Sequence, residues 1–304
     1  MDFTKTSATS TFFKKCGLLS LVGGLHCAPL AAQFDNELVF LVDAGAFTSA
    51  AERNSFLNGI ASSFESGSLI DAISAGDISS ITSSVVVYGG TAQQDVAISE
   101  FIISDITSAA SFASQIRLVG DTIPTLFDGF PTLAPASVPA LSAAIDFATN
   151  LITTSGLASD TQAIQFYAEI SDLGGVSPFD ADLGRTNTIT ASQNAAAAGI
   201  DGLSGVFGNA VTDNIGVATD FFPTGLTTLE AFQDDFNTNI VFGQPEGGSG
   251  LAIIDNDVAT PTTEDQEAIN NVVLQAAAVP EPSTASLALL LVPFLLRRKR
   301  NTQN

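Results

Sequence analysis

Between residues 33 and 278 the chain has no cysteine, histidine, lysine, methionine or tryptophan. A serine-histidine-aspartate triad, a cysteine nucleophile and an ordinary zinc site each need one of these side chains, so these sites are excluded there. A disulfide, a lysine Schiff base and a phosphate-binding P-loop are excluded for the same reason. A pair of carboxylates acting as in a glycosidase stays available, but the sequence singles out no pair.

Basic residues are nearly absent from the same stretch. Seven of the ten Lys and Arg residues lie outside it, which leaves Arg53, Arg117 and Arg185 against 30 acidic residues and a net charge of −27. A charge of this sign repels nucleic acid and anionic membranes and attracts cations. We therefore expect no nucleic-acid partner.

Residues 1–32 have the three parts of a secretory signal peptide. Three lysines form a basic n-region: Lys5, Lys14 and Lys15. The apolar stretch "CGLLSLVGGL" follows, and "APLAAQ" offers small residues for cleavage after Ala32. Lipidation of Cys27 is the alternative, but the residue before it is His26, where a lipoprotein signal needs a small residue. We predict a mature chain that begins near residue 33.

The C-terminal end has a short polar motif, an apolar run and a basic cluster in that order. The motif is Val279, Pro280, Glu281 and Pro282, the apolar run is 283–296, and the cluster is Arg297, Arg298, Lys299 and Arg300. Residues 279–300 resemble the PEP-CTERM sorting signal, by which Gram-negative bacteria hand exported proteins to an exosortase. The resemblance implies processing at the Pro-Glu-Pro element, an apolar segment that halts transiently in the inner membrane, and a cytoplasmic basic cluster.

The apolar run is short for a permanent membrane anchor. As a helix, its 14 residues reach about 21 Å, against a hydrocarbon core of roughly 30 Å. An ordinary C-terminal anchor without processing is the alternative. The sorting resemblance implies exosortase and the secretion machinery as partners, and a final location on the cell surface or in the extracellular matrix.

Periodicity predicts alternating strands and helices. Continuous or alternating apolar runs predict strands at 37–42, 81–90, 96–103, 163–170 and 200–207. Apolar faces at helical spacing lie between them, for example Phe56, Leu57, Ile60 and Phe64. Helices are also predicted at 106–117 and 190–199, with a Pro-containing loop at 122–135 and a polar loop after residue 175. This pattern indicates an α/β fold with a doubly wound, mostly parallel sheet, helices on both faces and an antiparallel pair at 81–103. We predict one domain over 33–243, then an acidic linker over 244–278 with a short helix at 264–277.

The order of these segments resembles a bacterial von Willebrand factor type A domain across about residues 36–243. The likeness is carried by "ELVFLVDAGAFTSAAE", "VVVYGG", "PALSAAIDFATNLI", "IQFYAEISDLGG" and "AAAAGIDGLSGVFG". The resemblance implies a Rossmann-like sheet and a role in interaction or adhesion.

In that family the strand ends hold a metal-ion-dependent adhesion site that opens with Asp-x-Ser-x-Ser. Here the motif reads Asp43-Ala44-Gly45-Ala46-Phe47, and Pro139 or Ala140 stands where a threonine ligand is expected. Asp172 matches the distant aspartate, so Asp43 and Asp172 are the candidate metal ligands. Two carboxylates without hydroxyl support form a poor Mg²⁺ site. We expect a degenerate site and no cofactor; the alternative is a non-standard Mg²⁺ site completed by Thr48, Ser49 or Ser142.

The sequence as a whole predicts a non-enzymatic, exported and exosortase-processed protein. Its type A-like domain would bind a surface protein or an exopolysaccharide in the matrix, as in a biofilm. Two alternatives stay open: an acidic, cation-attracting structural matrix protein with no specific partner, and an adhesion domain with a non-standard metal site.

Overall fold

The computed structural model describes residues 34–44, 50–66, 69–71, 78–90, 93–126, 141–157, 159–169, 181–208, 224–226, 229–243, 250–254 and 263–277. All of these residues belong to the unit Gln33–Asn304. The predicted signal peptide and the predicted sorting signal at 279–300 lie outside the described residues, and both stay predictions.

Six strands form one sheet in the order β3-β2-β1-β4-β5-β6. The strands are β1 (Phe34–Asp43), β2 (Ile78–Gly90), β3 (Gln93–Ile103), β4 (Thr161–Glu169), β5 (Gly202–Gly208) and β6 (Leu251–Ile254). All neighbours run parallel except β2 and β3, which are antiparallel. The predicted doubly wound, mostly parallel sheet is confirmed, and its switch point lies between β1 and β4.

Of the helices that the structure describes, three cover each face of the sheet. The first face carries α1 (Ala50–Glu65), α2 (Ile106–Leu126) and α6 (Thr263–Ala277); the second carries α3 (Leu141–Ser155), α4 (Ala181–Ala197) and α5 (Leu229–Asn239). Successive residues of a strand point to opposite faces, so Phe40 and Val42 enter the first core while Val39 and Leu41 enter the second. The helical face predicted at 56–64 is confirmed by the burial of all four of its apolar side chains.

Two helices are longer than the sequence predicts. The predicted helix at 190–199 begins at Ala181, inside a stretch that we expected to be a polar loop, and α2 continues to Leu126 through residues 122–126 of another predicted loop. Hydroxyl groups explain the first difference. Thr186 and Thr190 donate to the carbonyl oxygens of Asp182 and Thr186, one turn earlier, so these polar residues are accommodated within the helix.

The predicted linker over 244–278 is wrong in two places. Leu251–Ile254 forms β6, which pairs with β5, and α6 packs into the core through Ile269, Val272 and Val273. The predicted short helix is therefore present, but it belongs to the domain, which extends past residue 243 to Ala277. Gly59 permits the close approach of α1 and α6, because a Cβ atom there would lie 2.6 Å from Ile269 Cδ1.

Candidate functional site at the carboxyl end of the sheet

Doubly wound folds bind ligands at the carboxyl ends of their strands, where the strand order reverses. In this sheet that position lies at the ends of β1 and β4. Asp43 is the last residue of β1 and pairs in register with Tyr88 of β2, while Val42 pairs with Tyr167 of β4. The sheet therefore brings one predicted metal ligand and both tyrosines of the chain to the same edge.

Asp43 is fully buried, with 0% of its surface exposed. The chain directly after it is held to β2, because the Ala44 amide donates to the Tyr88 carbonyl oxygen at 2.8 Å. Asp43 lies on the same face of the sheet as Tyr88, since residues in register share a face. The predicted ligand thus sits inside the second core rather than at an open surface.

The two tyrosines fill the switch point. The Tyr88 hydroxyl donates to the Tyr167 carbonyl oxygen at 3.1 Å and so spans from β2 to β4 across β1. The Tyr167 ring stacks on Phe56 of α1, with ring centroids 4.0 Å apart and an interplanar angle of 18°. All three side chains are buried, Phe56 and Tyr167 in the first core and Tyr88 in the second, so in the described part of the chain aromatic packing fills the strand ends at the switch point.

Of the remaining candidate ligands only Ser142 is described, as the second residue of α3. Asp172, Thr48 and Ser49 lie outside the described residues, as do Ala46, Phe47, Pro139 and Ala140, so the pairing of Asp43 with Asp172 stays a prediction. Within the described ranges, no group of three or more His, Cys, Asp and Glu side chains is arranged to hold a metal ion. The degenerate metal site stays a prediction.

A second polar site lies at the opposite end of the sheet, around Glu37 of β1. Its side chain is buried, and its Oε2 atom accepts hydrogen bonds from the Ser159 hydroxyl at 3.2 Å and from the side-chain amide of Gln162 at 3.3 Å. Burial raises the pKa of the Glu37 carboxyl above its ordinary value, the hydrogen bonds from hydroxyl and amide groups act against this, and the charge of Glu100 raises it further. Sequence reasoning gave Glu37 no role.

The strand register extends this site into a row across the second face. Ile102 of β3 pairs with Thr82, Thr82 with Glu37, and Glu37 with Gln162. The row ends at Asp201, whose Oδ2 atom accepts a hydrogen bond from the backbone N–H of Gln162 at 2.8 Å. Along this row, Ile102 at the sheet edge is exposed, Glu37 in the middle is buried, and Asp201 at the far side is exposed.

An irregularity in β3 shapes the edge of this row. The pairing of Ser83 with Phe101 and of Val85 with Ile98 leaves one more residue in β3 than in β2. Glu100, in this extra stretch, has a φ of 45° and donates its amide to the Ser84 hydroxyl at 3.0 Å. This is a β-bulge, a feature that re-aims side chains at sheet edges and has no signal in the residue pattern.

Both arginines whose side chains the structure describes form ion pairs between neighbouring helices. The Arg117 guanidinium donates to both carboxylate oxygens of Glu65 at 2.8 and 2.7 Å, and Arg185 makes a forked pair with Asp235. The first pair joins α2 to α1, and the second joins α4 to α5. Hydrogen bonding to Arg117 lowers the pKa of Glu65. In the described part of the chain, each of these two guanidinium groups pairs with a helix carboxylate and neither forms an ion pair with Glu37.

No described helix has both the length and the apolar character needed to cross a membrane. The predicted membrane segment 283–296 lies outside the described residues.

Residues 33–203 match the family described as a protein of unknown function, DUF1194. No curated protein matches the chain.

Three solved structures share similarity with the chain. They are pilus adhesin SpaC from Lactobacillus rhamnosus GG in an open conformation (10% identity, 81% of this chain and 30% of that chain, TM-score 0.44), proximal thread matrix protein 1 from the mussel byssus (9%, 80% and 47%, 0.40), and the human COPII-coat protein Sec24c (11%, 80% and 32%, 0.38). The chain spans less than half the length of each.

Proposed function

The chain belongs to the DUF1194 family, and from this premise we propose that it is an exported, exosortase-processed protein of the cell surface or extracellular matrix. Its von Willebrand type A-like domain binds another surface protein or an exopolysaccharide without a functional metal site. The family match begins at residue 33, where the predicted mature chain begins, which supports removal of residues 1–32. The Pro-Glu-Pro motif with its apolar run and basic cluster supports sorting to the surface.

The filled switch point is the observation that carries the interaction role. A small-molecule site needs a concave pocket with a few convergent polar groups. Among the described residues, the aromatic side chains of Tyr88, Tyr167 and Phe56 fill the strand ends at that place, which supports binding at the outer surface of the domain. The same packing supports metal independence. With none of its surface exposed, Asp43 offers no open coordination position to the carboxylate of a partner.

The test is to express the tagged full chain in a bacterium that has an exosortase and to recover it from the matrix. We expect a mature protein that has lost residues 1–32 and the sorting segment, and that captures a defined partner equally well with and without EDTA. A variant with Pro280→Ala and Pro282→Ala keeps the apolar run and basic cluster, so it serves as the matched control for sorting and is expected to stay with the membrane.

Three outcomes would contradict parts of this proposal. An unprocessed wild-type chain would show an ordinary C-terminal anchor. Loss of the partner in EDTA would show an intact, non-standard metal site. Retention in the matrix that only salt concentration controls, with no defined partner, would show a structural acidic protein instead.

A further inference from the structure

We propose that the amino end of the sheet is a docking surface for a basic polypeptide segment that also carries apolar side chains. The surface, which we name the amino-end patch, consists of Glu100, Ile102, Asp105, Ile106 and Leu157. This inference rests on the proposed interaction role and specifies where the partner binds and what its chemistry is.

The patch concentrates exposed apolar side chains. Among the described residues five large apolar side chains are well exposed, and three of them lie here: Ile106 at 67%, Ile102 at 61% and Leu157 at 39%. Ile102 and Ile106 flank the short turn between β3 and α2. Leu157 lies in the turn that leads into β4, three strand positions away, which corresponds to about 14 Å. Exposed apolar groups gathered at one end of a domain are typical of interaction sites.

The charge around these side chains is negative. Glu100 and Asp105 are exposed within the patch, and Asp160 and Asp201 are exposed at the starts of β4 and β5 along the same end. The two arginines with described side chains, Arg117 and Arg185, are each paired with a carboxylate on a helix. The patch therefore presents carboxylates beside apolar groups, and lysine or arginine near apolar residues is the complementary chemistry.

The backbone holds the patch in a fixed arrangement before any partner arrives. Asp105 caps the start of α2, because its Oδ1 atom accepts the Ser108 amide at 2.7 Å and the Ser108 hydroxyl at 2.8 Å. The Glu100 amide is anchored to the buried hydroxyl of Ser84 through the bulge. A preformed surface loses little conformational freedom on binding, which favours affinity.

Other occupants fit this surface less well. A second copy would bring carboxylates against carboxylates, since the stretch 33–278 carries 30 acids and three bases. Nucleic acid and anionic membranes carry the same sign of charge as the patch. A neutral apolar segment would leave the carboxylates without partners, so a basic segment with apolar residues is the occupant that uses both features.

The test compares two short labelled peptides of equal charge, one alternating Lys with Leu and one alternating Lys with Ser. Binding to the purified full-length protein is followed by fluorescence anisotropy at roughly 0.3 M salt, where long-range attraction to the whole acidic domain is largely screened. We expect the Lys-Leu peptide to bind more tightly. The double variant Ile102→Ser/Ile106→Ser should lower its affinity by about tenfold or more, because two apolar contacts are lost.

A matched control comes from the other two exposed leucines. Leu118→Ser/Leu183→Ser removes apolar side chains that are 60% and 43% exposed elsewhere, and it should leave the peptide preference unchanged. Equal losses in both double variants, or equal binding of the two peptides, would overturn the inference. A wild-type dimer in sedimentation that is lost in Ile102→Ser/Ile106→Ser and kept in the leucine control would also overturn the inference. The patch would then be an interface between two copies of this chain.

Capture of a partner from the matrix separates this inference from the proposed function. If the wild type and the Ile102→Ser/Ile106→Ser variant capture the same partner equally, the patch inference fails while the interaction role stands. If the patch binds the Lys-Leu peptide as expected and the protein captures nothing from the matrix, the patch inference stands while the interaction role fails.

Discussion

The two ends of the sheet carry different kinds of side chain. At the carboxyl end, β1 finishes in a buried aspartate beside two buried tyrosines, and a phenylalanine from α1 stacks on one of them. At the amino end, the same strand places Glu37 among hydroxyl and amide groups, and the exposed Ile102 and Ile106 lie near the end of the edge strand β3 and at the start of α2. Among the described residues, the strand ends at which this fold class keeps its ligands are thus used for packing, whereas three of the five exposed large apolar side chains lie at the other end.

Truncation of Tyr167 is the strongest way to test this difference. Tyr167→Ala removes a fully buried ring that stacks on Phe56, so it should lower the free energy of unfolding by about 3–5 kcal/mol. Ile102→Ala at the amino end removes a side chain that is 61% exposed, so it should change the free energy of unfolding by no more than about 0.5 kcal/mol. Urea unfolding of the two variants measures both values. Equal costs would show that the amino end is as tightly packed as the carboxyl end.

Removal of one hydroxyl gives a smaller effect of the same kind. Tyr88→Phe keeps the ring but deletes the buried hydrogen bond to the Tyr167 carbonyl, so we expect a loss of about 1 kcal/mol. The control is Ser111→Ala on α2, where an exposed hydroxyl donates to the Thr107 carbonyl at 2.9 Å and water can replace it. The urea concentration at half-unfolding should be clearly lower for Tyr88→Phe than for Ser111→Ala, while the slope of the unfolding free energy against urea is the same for both. Coincident midpoints would show that the switch point is open to water.

The sheet could be predicted from the sequence because its strands carry long apolar runs and its helices have regular apolar faces. The addition of β6 and α6 to the core could not be predicted in the same way. A strand of four residues is too short for a period to appear, and the apolar residues of α6 that enter the core are few: Ile269, Val272 and Val273. The local sequence of β6 or α6 does not show whether the segment packs against the domain.

The two sites were predictable to different degrees. Asp43 was predictable as a strand-end acid, but its place beside Tyr88 of another strand comes from the register, which local sequence does not supply. Glu37 was missed because its partners Ser159 and Gln162 lie 122 and 125 residues away, and because the bulge at Glu100 leaves no mark in the residue pattern. Contacts between distant segments are set by topology, which local periodicity does not encode.

The finest test of the difference concerns the proton on Glu37. Burial raises its pKa above the ordinary value of 4.5, so the folded protein holds this proton more tightly than the unfolded chain does. Protonation of Glu37 therefore adds stability as the pH falls through the raised pKa, and this contribution is lost as the pH rises through it. Glu37→Gln cannot titrate, so the stability of the wild type relative to this variant should increase from about pH 7 towards 4.5.

Asp105→Asn supplies a control of opposite sign at the same end of the sheet. Hydrogen bonds from the Ser108 amide and hydroxyl lower the pKa of Asp105, so the wild type should lose stability relative to this variant as the pH falls below the ordinary value of 3.8. Both differences come from urea unfolding at a series of pH values. A flat difference for Glu37→Gln would mean that its carboxylate is solvated, and the amino end would then be a wholly exposed surface rather than one with a buried polar centre.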